Sequence, residues 1–307
     1  MNGLPVVTAI VPTHDRKELL VRTLKRVVAQ RDVALDLVVV DDASTTDVER
    51  TLGELRAPEL RLLRHERSRG VAAARNTGWK AARGQWVAFC DDDDLWAPDK
   101  LARQVAAAER SDRRWVYCGC VEIDAADRVI GGGPPLDPSK VVSAVRCFNA
   151  VPGGGSGALL AADLLEQSGG FDERLRYLED WELWMRLVRV ARPAVVEAPL
   201  VGYRLHQGNI HLRAAPMLDA LDQVEQWHGP TDRAAFLRRL AWAAWRTGNQ
   251  GTAVRLFAAA ANLGDHGRLV RELAGALRNR VLGSSPGARR HASWLAEAQR
   301  WICEPCD

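Results

Sequence analysis

No apolar run in this sequence approaches the ~20 residues that a membrane-spanning helix needs. The first residues, Met1-Asn2-Gly3-Leu4-Pro5, show no basic start followed by an apolar signal region, so the expectation is a cytoplasmic protein. A surplus of one charge is missing too. The 42 Lys and Arg against 39 Asp and Glu leave a net +3, too mild to argue for nucleic acid as a partner. The first strand-like run is followed by no GxGxxG, which argues against a dinucleotide oxidoreductase. Nor is it followed by the Gly-rich basic loop that a sugar nucleotidyltransferase would want; Pro12-Thr13-His14-Asp15 stands there instead. The six cysteines lie at 90, 118, 120, 147, 303 and 306. The first four have no zinc-ligand spacing, and Cys303-Glu304-Pro305-Cys306 is a CxxC with no second pair to complete a zinc site.

What is present is a large apolar fraction, 47% of 307 residues, enough for one large domain or a domain with an appendage. Residues 6–11 read as a buried strand ended by Pro12. Residues 16–29 carry Leu19, Leu20, Leu24, Val27 and Val28 at a helical period. Residues 35–40 read as a second buried strand closed by Asp41-Asp42, and 44–56 as a helix capped by Ser44 or Thr45. A third strand at 60–64, an Ala-rich helix over 70–83 ended by Gly84, and a strand over 86–90 follow. Another strand lies around 115–123. Strands alternating with helices imply an α/β fold, a mainly parallel sheet flanked by helices. The segments Gly131-Gly132-Gly133-Pro134-Pro135 and Gly153-Gly154-Gly155-Ser156-Gly157 read as loops, the second as a flexible wall near a ligand.

The most telling feature is Phe89-Cys90-Asp91-Asp92-Asp93-Asp94. Four adjacent carboxylates at the end of a buried strand cost repulsion and desolvation, so positive charge belongs beside them. A hard divalent cation with oxygen ligands, Mg²⁺ or Mn²⁺, answers that need and keeps positions free for phosphate oxygens. An acidic helix start is the plainer alternative, with 95–100 as the opening of that helix. In parallel sheets ligands bind at the carboxyl ends of the strands. Three such ends are polar here: Thr13-His14-Asp15-Arg16, Asp41-Asp42-Ala43-Ser44 and Asp91 to Asp94.

In this order, six segments resemble the family 2 glycosyltransferases of the GT-A fold, over roughly residues 6–210. They are Val11-Pro12-Thr13-His14-Asp15-Arg16; Val39-Val40-Asp41-Asp42-Ala43-Ser44; Gly70 through Arg75-Asn76-Thr77-Gly78 to the acidic run; Gly169-Gly170-Phe171-Asp172-Glu173; Glu179-Asp180-Trp181-Glu182-Leu183-Trp184; and Tyr203-Arg204-Leu205-His206-Gln207-Gly208-Asn209. The resemblance implies metal-dependent, inverting transfer of a sugar from a nucleotide-sugar donor to an acceptor nucleophile. A cation would stabilise the departing diphosphate as a Lewis acid. The family's DxD motif falls on Asp91-Asp92-Asp93, with Asp93 on the metal and Asp91 or Asp92 on ribose or metal-bound water. Asp42 resembles the base-recognising carboxylate. Pro12, Thr13 and His14 would line the nucleobase and ribose pocket, with Asp15 and Arg16 beside them. The family often has Tyr where this chain has His14, and Asn where it has Ser68.

Arg75 either reaches the acidic run or the nucleotide, or forms a structural ion pair. Asp180 is the candidate catalytic base, which would take the acceptor's proton as it attacks the anomeric carbon. Glu179 beside it is a candidate acceptor contact, and the pair Glu179-Asp180 also reads as an acidic helix start. Trp181 or Trp184 is a candidate platform for an acceptor sugar, although tryptophans at helical spacing more often serve the core. By resemblance His206 is a second metal ligand or a diphosphate contact. The acceptor stays open: a glycan, a lipid-linked sugar, a natural product or a peptide. A non-catalytic nucleotide-sugar-binding adaptor is the reading from another class.

From about residue 212 the pattern becomes all helical, which divides the chain into a catalytic domain over 1–211 and a helical region over 212–307. Residues 208–307 hold 13 Arg and no Lys against 9 acids, net +4. Gly248, Ala253, Phe257 and Ala260 match the spacing of one tetratricopeptide-like hairpin. Between 266 and 300, seven Arg face two Glu, and Leu269, Val270, Leu273, Leu277 and Val281 share a helical face. That stretch could touch the inner face of a membrane peripherally or pack in the core with its Arg face in water; core packing is the favoured reading.

Overall fold

A computed structural model describes residues 4–53, 55, 60–205, 214–246, 248–264, 267 and 286–304. Its first half is the expected parallel layer. Strands β1 (Val6–Thr13), β2 (Ala34–Asp41), β3 (Leu60–Arg64) and β4 (Trp86–Phe89) lie in the order β3-β2-β1-β4. All neighbours among them are parallel. The crossovers carry α1 (Lys17–Val28), α2 (Val48–Gly53) and α3 (Val71–Lys80). Strands β1 and β2 are apolar on both faces because helices cover both. Helix α3 lies so close to the sheet that a Cβ at Gly78 would fall 2.3 Å from Ile10 Cγ2, a contact only glycine allows.

Beyond β4 the sheet becomes mixed. It adds β5 (Leu95–Trp96), β6 (Trp115–Ile123), β7 (Val129–Gly133), β8 (Ala158–Ala161) and β9 (Ala194–Arg204). The order continues β4-β8-β6-β9-β5, with β7 paired to β6. β8 runs antiparallel to both β4 and β6, while β6 and β9 are parallel. Helices α4 (Lys100–Ser111), α5 (Pro138–Ala144), α6 (Ala162–Ser168) and α7 (Glu179–Val190) complete this half.

Several local expectations are corrected. Pro12 does not end β1; it pairs in register with Val40. Ile10 O accepts from Cys90 N on the β4 side, and residue 12 faces the same side, where β4 has already stopped. The missing N–H of proline therefore removes no ladder bond. Helix α2 starts later than residue 44 because Thr45 and Thr46 are drawn to Asp15, and Asp47 accepts from Arg50 N at 2.9 Å. Residues 131–133 are the end of β7 rather than a loop, and Leu95-Trp96 pairs with β9 instead of opening a helix.

The C-terminal helices are α8 (Ala214–His228), α9 (Arg233–Arg246), α10 (Gln250–Asn262) and α11 (Pro286–Cys303). Trp242 meets Phe257 edge-on at 5.2 Å inside the α9–α10 hairpin. Buried residues of α8 to α10, among them Leu221, Phe236, Leu237 and Ala260, join the same apolar cluster as Trp115, Trp181 and Trp184. Helix α11 closes the opposite face. Its Trp294 and Trp301 indole N–H groups donate to Glu197 O and Pro199 O of β9, both at 2.8 Å. Arg26 of α1 donates to the carbonyls of Trp301 and Ile302, two of the last that α11 leaves unpaired. At the described end of the chain Ala298, Trp301 and Ile302 are buried. Leu269, Val270, Leu273, Leu277 and Val281 lie outside the described residues. No described helix is long and apolar enough to cross a membrane.

Candidate active site

The ends of β1, β2 and β4 converge on one crevice. Asp15, Ala43 and Leu178 all take left-handed backbone, at φ 54, 62 and 62. Such residues store strain of order 1–3 kcal/mol and turn the chain sharply where strand or loop meets the site. Asp15 pins the start of the second loop by accepting from Thr45 N at 2.7 Å and Thr45 Oγ1 at 2.9 Å. His14 hangs over the strand ends with its side chain 51% exposed, and its Nδ1 lies 2.8 Å from Asp42 O.

Both carboxylate oxygens of Asp42 are engaged by the 65–70 segment. Its Oδ1 takes Arg69 N (2.8 Å) and lies 2.6 Å from His65 Nδ1; its Oδ2 takes Ser68 Oγ (2.7 Å) and Gly70 N (2.8 Å). Burial pushes this carboxyl up, but the donors outweigh it and hold its pKa below the usual aspartate value. Asp42 therefore fastens the 65–70 loop to the end of β2. Ser68 fills the place the family often gives to Asn by donating to this carboxylate.

In the acidic run, the Arg16 guanidinium is the counter-ion of Asp92 and Asp93. Arg16 Nη1 lies 3.1 Å from Asp92 Oδ1 and 2.5 Å from Asp93 Oδ2. Thr13 Oγ1 donates to Asp92 Oδ2 at 2.7 Å. Burial, reinforced by Asp93, raises the Asp92 pKa to about 7 against the pull of Arg16 and Thr13. Asp94 is fully buried, takes Arg204 N at 3.1 Å, and is pushed well above the aspartate range by burial and by its acidic neighbours. Arg204, 1% exposed, also donates to Asp93 O at 2.9 Å.

Arg75 joins the two halves of the crevice. Its Nη2 donates to Asp91 Oδ1 at 2.5 Å and its Nη1 to Glu179 Oε1 at 2.6 Å, with only 3% of the side chain exposed. Both readings offered for Arg75 meet here, since it reaches the acidic run through a buried ion pair. Glu179 is thereby more than a helix start. Burial raises its pKa to about 7, opposed by Arg75 and assisted by Asp180.

Asp180 sits in the first turn of α7. Its Oδ1 accepts from Trp181 N at 2.7 Å and its Oδ2 from Asn149 Nδ2 at 3.0 Å. Burial raises its pKa above 3.8, although Arg75 and these two donors pull it down. Residues 153–157 are not a loose loop: Gly154–Gly157 form a 3-10 turn against the site. Gly154 has φ +53, and a Cβ there would fall 2.5 Å from Asp180 Oδ2. Glycine is required both for the backbone and for the approach to the carboxylate. Ser156 Oγ accepts from Asp91 N at 3.0 Å, tying the same turn to the acidic run.

The candidate acceptor platforms are corrected. Trp181 and Trp184 are fully buried. Trp181 stacks on Phe236 at 5.9 Å and donates to Val145 O; Trp184 stacks on Trp115 at 5.7 Å. They form the core behind α7 and are not free to stack a sugar. His206 lies outside the described residues, as does Cys306; Cys303 is a free thiol. Asn149, Ser156 and Arg204 had no assigned role in the sequence reading. Their partners lie 31, 65 and 110 positions away, a separation that no local pattern reveals.

The donor set suits a hard divalent cation. It offers only oxygens, and Arg16 Nη1 touches Asp92 and Asp93 from a single point, which marks where positive charge is accommodated. Among the described residues no three His, Cys, Asp or Glu groups converge as a metal cage. Such a site would leave most coordination positions to ligand phosphate and water, the usual arrangement for Mg²⁺.

Comparison with known proteins agrees with this architecture. A family model described as glycosyl transferase family 2 matches residues 8–167. The succinoglycan biosynthesis protein ExoO of Rhizobium meliloti is 29% identical over 254 residues, covering 78% of this chain and 70% of that protein. The Escherichia coli UDP-Glc:alpha-D-GlcNAc-diphosphoundecaprenol beta-1,3-glucosyltransferase WfgD is 26% identical over 207 residues, covering 67% and 79%. Among solved structures, S. aureus TarS 1-349 in complex with UDP-GlcNAc superposes with a TM-score of 0.60 at 17% identity, covering 96% of this chain and 90% of that one. The mannosyltransferase PcManGT from Pyrobaculum calidifontis, in complex with GDP-Man and Mn²⁺, gives 0.53 at 23% identity, covering 99% and 89%. These two structures share the fold, a GT-A-like layer with helices at the C-terminus.

Proposed function

The chain belongs to the family 2 glycosyltransferases, and we propose that it transfers a hexose from a uridine diphosphate sugar to a saccharide hydroxyl, with inversion and with help from Mn²⁺ or Mg²⁺. The observation that carries this reading is Arg75, whose two nitrogens bind Asp91 of the acidic run and Glu179 next to Asp180. One rigid bridge thus sets the carboxylates for the leaving group and the carboxylate for the acceptor against each other. WfgD is named for a UDP-Glc donor and a lipid-linked saccharide acceptor, and TarS was solved with UDP-GlcNAc, which supports the choice of donor and acceptor class.

In this reading the base stacks near His14, and the 65–70 loop held by Asp42 walls the pocket. Asp93 and, outside the described residues, His206 would hold the cation, with Asp91 or Asp92 on ribose or metal-bound water. When bound, the cation supplies Lewis-acid stabilisation of the leaving diphosphate. Arg16 then has to exchange its carboxylate partners for diphosphate oxygens, which its fork geometry suits. Asp180 takes the proton of the acceptor hydroxyl as that oxygen attacks the anomeric carbon opposite the diphosphate. Its burial raises its basicity for that task, and the fixed N–H of Trp181 keeps it aimed.

The test is a donor screen. Thermal shift with UDP-glucose, UDP-GlcNAc and GDP-mannose, each with and without Mn²⁺, should single out a uridine donor whose effect depends on metal. A donor at 100 times its Kd stabilises by about 2.7 kcal/mol. With that donor, Asp180→Asn should keep the shift and lower turnover about 10²-fold or more. Wild-type turnover in Asp180→Asn, or full activity in excess EDTA, would refute the assignment.

A further inference from the structure

The candidate base is held from a direction that the family motifs do not cover. Asn149 lies between α5 and the 3-10 turn, and its Nδ2 donates to Asp180 Oδ2 at 3.0 Å. The segment that carries it is clamped from α9. Arg239 Nη1 donates to Asn149 O at 2.9 Å, and the Arg239 guanidinium stacks over the Phe148 ring at 4.4 Å. Asp232 N, at the start of α9, donates to Cys147 O at 3.2 Å. The same segment is held from α7, where Trp181 Nε1 donates to Val145 O while its ring stacks on Phe236 of α9.

We propose that Asn149 is a positioning residue for Asp180 and that α9 sets its place through Arg239, so that the helical C-terminal region completes the catalytic site. The inference rests on Asp180 being the base. The geometry gives Asn149 two tasks. Its N–H fixes one of two carboxylate oxygens, leaving the other with the Trp181 N–H and selecting one rotamer. It also favours the ionised carboxylate, because a donor to a carboxylate stabilises the charged form. The other groups that bear on Asp180 are Arg75 from α3, Asp91 after β4, Glu179 on its own helix and Tyr203 of β9. None of them is altered by changing Asn149. Arg239 binds the backbone carbonyl of Asn149, so on this path its effect reaches Asp180 through the Asn149 side-chain amide.

The experiment uses the full chain, UDP-glucose or UDP-GlcNAc with Mn²⁺, and release of UDP as readout. Asn149→Ala should lower kcat about 10-fold, the scale for a hydrogen bond to a charged group, with the donor KM unchanged. Its acid limb should move to higher pH, because the lost donor no longer favours the carboxylate. Arg239→Met, which removes both the bond to Asn149 O and the guanidinium over Phe148, should move both quantities the same way by less. The double variant should match Asn149→Ala alone, since Arg239 works through Asn149. Carboxyl ¹³C titration of the protein without donor gives a readout free of turnover: the Asp180 resonance, assigned with Asp180→Asn, should titrate at higher pH in Asn149→Ala. An unmoved resonance together with an unmoved acid limb overturns the proposal. Full additivity of the two substitutions overturns the path through α9. If Asp180→Asn turns over like wild type, the base assignment falls, while the titration still decides whether Asn149 holds that carboxylate.

Discussion

Replacing Arg75 with methionine should destabilise the protein by about 3–5 kcal/mol, the range for breaking a buried ion pair by removing one partner. The structure says where that cost falls. Arg75 is 3% exposed, the Glu179 side chain 9% and the Asp91 side chain 28%. Asp91 can turn toward water, so the penalty is chiefly that of leaving Glu179 buried without a cation. Methionine keeps much of the stem volume but loses the guanidinium stacked 5.2 Å over Phe171, a contact worth about 1 kcal/mol. At about 2–4 °C per kcal/mol the midpoint of thermal unfolding should fall by roughly 10 °C. Glu179→Gln in the Arg75→Met background should restore more than half of the loss, since it removes the stranded charge. The pH dependence has a definite sign. Without Arg75 the Glu179 pKa rises beyond its present value of about 7, so the carboxyl is neutral at pH 5.5 and charged only in more alkaline solution. The loss should therefore be smaller at pH 5.5 than at pH 8. Circular dichroism melts of the four proteins of this double-mutant cycle, at both pH values, decide the matter. A single-variant loss under about 1 kcal/mol, or no rescue by Glu179→Gln, would refute the bridge.

Three further outcomes are expected. Gly154→Ala, whose Cβ would lie 2.5 Å from Asp180 Oδ2, should cost about 1 kcal/mol in left-handed backbone and lower kcat about 10-fold while calorimetry shows unchanged UDP affinity; wild-type kcat would contradict the contact. Asp42→Ala strands the donors of His65, Ser68, Arg69 and Gly70, so the unfolding midpoint should fall by roughly 5–10 °C as UDP affinity weakens; an unchanged melt would show that the loop does not depend on Asp42. Asp180 must be ionised to accept a proton and its pKa is raised by burial, so turnover should be lost as pH falls through that raised value, with an acid limb above 3.8 that vanishes in Asp180→Asn; a limb at or below 3.8 would contradict the buried carboxylate.

Much of this protein is local in sequence. The mainly apolar runs at 6–11, 35–40 and 86–89, alternating with helical segments such as the Ala-rich 71–80, announce a parallel layer, because strands covered on both faces are mostly apolar. The polar groups that end those strands are legible for the same reason: the carboxyl edge of such a sheet is where a ligand lies. Thr13, Asp42 and Asp91 to Asp93 are visible at those ends, and Asp180 through the family resemblance, before any contact is known. The partners of those groups are not. Arg16 between Asp92 and Asp93, Arg75 between Asp91 and Glu179, and Asn149 on Asp180 join residues 76, 104 and 31 positions apart, among others. Only folding selects one long-range pairing from many that the sequence permits. The same holds for the tryptophans of α7. Their helical spacing suits a sugar platform or a core equally well, and the choice was made by Trp115 and Phe236, brought up from β6 and α9 to stack on them. Local pattern therefore determined which chemistry the chain carries, and the packing of distant elements decided which side chains that chemistry could use.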